Sequence, residues 1–124
     1  MDTLIMLLCI AFFGGISLTG FVMPNRIIEM FGSTPHADMR NEIRTVYGGM
    51  CLAIAGLGVA ALLGLIPVRW PASVFALVLL SNAFGRGVGM LLERVSTIVP
   101  VFLVLELVLG GLALWVALKS KGFT

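Results

Sequence analysis

An arginine at position 86 and a glutamate at position 106 each interrupt a long run of apolar residues, 72–92 and 98–118. Either run approaches the ~20 residues needed to cross a hydrocarbon core of ~30 Å. A guanidinium keeps its charge there, and an unpaired one costs at least ~2.5 to 3.5 kcal/mol at the bilayer centre. Arg86 therefore requires a carboxylate, and Glu106 is the acid within reach. Such a pair could hold the polar head of an amphiphile, pass protons or ions, act as acid and base on a lipid, or simply fix the register of two helices.

Spacing permits the pairing. Arg86 lies nine residues before Val95 and Glu106 eleven after it. Along two antiparallel helices joined near Val95 those are depths of ~13 and ~16 Å, within about one turn of each other. Asn82, Arg86, Gly89 and Glu93 share one helical face, as do Arg44, Tyr47, Gly48 and Cys51 on the preceding segment. The expected site is a basic cleft of Arg44, Tyr47, Asn82, Arg86 and Glu106, with Glu42 or Glu93 at its rim.

The elements that must position these groups follow from composition. With 60% hydrophobic and 11% charged residues and a mean hydropathy of +1.13, the chain lies outside the soluble range. It reads as an all-α membrane protein, residues 1–124 forming a single compact antiparallel bundle of four transmembrane helices over about 3–23, 35–66, 72–93 and 97–118. Residues 25–31 suit a short interfacial helix between the first two, ended by Gly32. Thr34 and Pro35 resemble a cap and first helical residue, giving an unbroken second helix, and Ser96 is the expected cap of the fourth, with Pro100 in its first turn. The 67–71 connection carries Arg69 and Trp70 as interfacial anchors. Gly48, Gly49, Gly85 and Gly89 are expected at helix contacts, and Gly85 with Gly89 makes a G-x-x-x-G pair that we assign to packing within the chain rather than to a dimer.

Several function classes recede. Cys9 and Cys51 lie in apolar runs without a C-x-x-C, and His36, Asp38 and Glu42 read as a charged helix end, so no metal or cofactor is expected. A formal charge of +2 without a basic run gives no nucleic-acid footprint. The first apolar run lacks a basic n-region and a cleavage pattern and is expected to be retained. Neither H-E-x-x-H nor G-x-S-x-G is present. Basic residues divide almost evenly between the two sides, with Lys119 and Lys121, lacking an acid beside them, favouring cytoplasmic termini.

The string Asn41-Glu42-Ile43-Arg44-Thr45-Val46-Tyr47-Gly48-Gly49, followed by an apolar helix and then Gly85-Arg86, resembles a family of small bacterial membrane proteins, the domain of unknown function 4345. The resemblance implies a four-helix inner-membrane protein with Glu42, Arg44, Tyr47, Gly48, Gly49 and Arg86 as signature positions, and it implies no reaction. The expected function is therefore non-catalytic. The chain would bind an amphiphile such as a lipid, quinone or fatty acid, or serve as an accessory subunit of a larger membrane complex. The alternatives are a small oligomeric transporter or channel with Glu106 as its proton or ion site, and an intramembrane lipid isomerase or hydrolase. A homo-oligomer is the other partner considered, beside the bilayer itself.

Overall fold

The computed structural model describes residues 1–120, in which every regular element is helical. In chain order these are α1 (Asp2–Val22), α2 (Pro24–Met30), α3 (Ala37–Leu62), α4 (Arg69–Leu92) and α5 (Ile98–Lys119). The four long ones contain 21, 26, 24 and 22 residues and are apolar enough to cross a membrane. At 1.5 Å per residue they are about 32 to 39 Å long, which matches the hydrocarbon core with a turn or so to spare.

Several helix boundaries differ from expectation for local reasons. α3 stops at Leu62 instead of residue 66, because Gly64 takes a φ of +76°. The amides of Gly64 and Leu65 then turn back to the carbonyls of Ala61 and Ala60. This is the left-handed glycine stop to which a side-chain-bearing residue is poorly suited. The apolar run continues past it, which is why hydropathy alone overshoots. At its start α3 is capped not by Thr34 but by His36, whose Nδ1 accepts the Met39 amide at 3.3 Å. α4 begins at Arg69, with Pro71 accommodated in its first turn. Thr97, not Ser96, precedes α5, and its side chain makes no capping bond. The Lys121 and Gly122 tail lies outside the described residues.

The second long helix is continuous but not uniform. Residues Arg44–Met50 form a π-helical stretch between the α-helical parts Ala37–Ile43 and Cys51–Leu62. Hydrogen bonding to the fifth residue widens the turn, and such stretches recur at functional sites.

The bundle consists of two antiparallel pairs, α1 with α3 and α4 with α5. Ser17 donates to the Gly48 carbonyl at 2.7 Å, and Gly58 abuts Ile10, so α1 and α3 run in opposite directions. Lys119 donates to Asp2 at 2.8 Å and thereby joins the two ends of the fold; an acid does stand beside this lysine. The core is confined to the half of the bundle nearest the termini. There Ile5, Cys9 and Phe13 pack against Phe75, Leu79, Ala113 and Val116, with Phe13 stacked on Phe75 at 5.6 Å. Leucines and phenylalanines on the outer faces, among them Leu4, Leu77, Phe84 and Leu91, are left to the lipid.

Candidate functional site

In the other half of the bundle the helices stand apart. The short α2 turns in beneath α1, burying Ile27 and Ile28 against the bundle rather than lying wholly on its surface. Behind it a cavity of about 670 Å³ opens between all five helices. Phe12, Phe13 and Ile16 of α1 form one wall, and Ile27, Met30 and Phe31 close the end. Tyr47, Met50 and Ile54 of α3 face Val78, Asn82 and Gly85 of α4. Among the described residues, Arg86 and Glu106 are the only charged ones in the lining.

These two meet as expected. Arg86 Nε donates to Glu106 Oε2 at 2.8 Å. Arg86 stands six residues before the end of α4 and Glu106 eight after the start of α5, so both lie ~9 to 12 Å in from that end. The acid side chain is 2% exposed and the base 22%. Both residues belong to the cavity lining, and Arg86 is the more accessible of the two. Its guanidinium also lies 5.1 Å from the Phe102 ring centroid, a cation–π distance, and Phe31 stacks on that ring at 6.3 Å. Because Phe102 precedes Glu106 by one helical turn, α5 supplies both the carboxylate and the aromatic face.

The contact is single, and that leaves chemistry to spare. Arg86 carries five N–H donors, of which the contact with Glu106 uses the one on Nε. Glu106 Oε1 accepts no bond from a described residue, and Glu106 belongs to the cavity lining. The Tyr47 hydroxyl and the Asn82 amide border the same space. The arrangement can therefore donate to an acceptor and accept from a donor within a few ångströms, at the foot of an apolar chamber.

Of the residues expected at the site, Tyr47, Asn82, Arg86 and Glu106 line the cavity, and Gly85 joins them. Arg44 does not. It is exposed and belongs to the π-helical stretch, whose wider turn breaks the α-helical spacing that had put it on the Tyr47 face. Glu42 and Glu93 are exposed beyond the lining. Among the packing glycines Gly48 sits in a tight crossing, where an added Cβ would lie 3.0 Å from the Phe21 ring. Gly49 has only the Arg44 carbonyl at 3.8 Å, and Gly85 and Gly89 meet nothing within 4 Å. The close contacts fall instead at Gly20, Gly58 and Gly110. Phe31 and Phe102 were not anticipated, although the one-turn spacing from Phe102 to Glu106 is visible in the sequence. Among the described residues, no three His, Cys, Asp or Glu side chains gather as a metal site.

No curated protein and no solved structure matches the chain significantly. A family model covers residues 1–117, nearly the whole length, and by it the chain belongs to the DUF4345 family, a domain of unknown function.

Proposed function

We propose that this protein binds a membrane amphiphile, without transforming it, in the cavity between its helices. The observation that carries the reading is the coincidence of an apolar chamber with an ion pair in its lining that leaves donors and an acceptor unused. A volume of about 670 Å³ lies within the ~300 to 1,000 Å³ of small-ligand pockets, which are mostly apolar with a few placed polar groups. The ion pair gives the head group an anchor, and the aromatic walls accept the chain.

The test is native mass spectrometry of the protein purified in mild detergent, beside a variant in which the chamber is filled. Gly15 lines the cavity and an added Cβ there meets nothing within 4 Å, so Gly15→Leu is the substitution chosen to crowd the chamber. Wild type should carry a bound amphiphile that Gly15→Leu loses while keeping its helical content. A wild-type protein that neither retains nor takes up any amphiphile overturns the proposal.

A further inference from the structure

We infer that the head group held by this cavity is uncharged and offers both a hydrogen-bond acceptor and a donor or second acceptor, as a carbonyl or hydroxyl head does. The inference rests on the binding role just proposed and narrows its ligand. With Arg44 outside, the lining holds one cation and one anion already in contact, and its formal charge is zero. A cleft containing Arg44 and Arg86 against Glu106 alone would carry +1 and would select anions; the π-helical stretch removes that excess.

The consequence for an anionic head is unfavourable twice over. Moving a carboxylate or sulfonate out of water carries a large desolvation cost, which only a net opposite charge repays. Seated on the free edge of Arg86, it would also share that guanidinium with Glu106, and two like charges at such range repel strongly where the dielectric is low. An uncharged head loses far less on leaving water. Its acceptor can take the Arg86 N–H groups that Glu106 leaves free, and Glu106 Oε1, the Tyr47 hydroxyl or the Asn82 amide meets the rest. Glu106 then serves as a specificity residue, because it cancels the charge that would otherwise recruit anions.

The experiment is a competition, read by native mass spectrometry, between methyl hexadecanoate and hexadecanesulfonate, matched chains bearing a neutral and a permanently charged head. Wild type should favour the neutral probe by about tenfold or more, which corresponds to ~1.4 kcal/mol. Glu106→Gln leaves Arg86 uncompensated and should reverse the preference. Should that variant fold poorly, Asn82→Asp at an exposed lining position makes the cavity net negative, and should admit hexadecyltrimethylammonium while excluding the sulfonate still further. Preference of wild type for the sulfonate, or an unchanged ratio in both variants, overturns the head-group assignment alone. Failure of wild type to bind either probe overturns the binding role itself.

Discussion

Arg86 and Glu106 are unequally placed, and the asymmetry governs what their loss would do. Glu106 is enclosed at 2% exposure, whereas Arg86 retains access to the cavity and the Phe102 ring. A paired buried charge gains little net stability because desolvation offsets attraction, but stranding one partner costs ~3 to 5 kcal/mol. Arg86→Ala leaves the enclosed carboxylate without its donor and should lower stability by about 3 kcal/mol. Arg86→Ala with Glu106→Ala removes both charges and should recover most of that loss. A melting series in one detergent reads the cycle, with equal losses from the single and double variants counting against the pairing. The pair was legible in the sequence because a lone cation in hydrocarbon demands an acid, and the helix lengths left one at matching depth. Its single-point geometry was not legible, since it depends on side-chain torsions that spacing does not fix.

Helix contacts obey backbone proximity rather than the presence of a glycine motif. At Gly20 an added Cβ would stand 2.8 Å from the Gly48 amide nitrogen and 3.0 Å from Tyr47 Cβ, so α1 and α3 cross there almost backbone to backbone. Gly20→Ala must part them and should cost ~1 to 3 kcal/mol, the range for overpacking a filled contact. Gly89→Ala meets open space and should be neutral, or stabilising by up to ~1 kcal/mol through helix propensity. Thermal melts of the two variants separate the predictions, and equal sensitivity would argue against this crossing. Number, order and span of the long helices were readable because apolar length is a one-dimensional property. Arg44 and the glycine contacts were not, for each depends on a turn geometry or a crossing point set by the partner helix. The G-x-x-x-G spacing at Gly85 and Gly89 marks small residues correctly and yet carries no internal contact, whereas Gly20, outside any such pair, makes the closest contact with a backbone atom.

Across the whole molecule, packing and openness are segregated along the bundle axis. The terminal half is closed by Phe13, Phe75 and Leu79, and the opposite half by α2 folded over a chamber. The same axis sets the topology. Four spans put Asp2, Leu65 and Lys119 at one end, with Arg26, Asp38 and Arg94 at the other. Arginine and lysine stand at both ends in comparable number, so the positive-inside bias on orientation is small. The orientation expected from the sequence, with cytoplasmic termini, would turn the α2 end and its chamber outward, although Asp2 offsets Lys119. Single cysteines test both statements. Leu65 is 72% exposed in the turn after α3 and Asp38 is exposed at its start, whereas the native Cys9 and Cys51 are buried and should stay silent toward a membrane-impermeant maleimide. In right-side-out vesicles Asp38→Cys should label and Leu65→Cys should not, and inverted vesicles should exchange the two. Labelling from a common side would overturn the four-span topology, while the opposite pattern would keep the topology and reverse its orientation, placing the chamber at the cytoplasmic face.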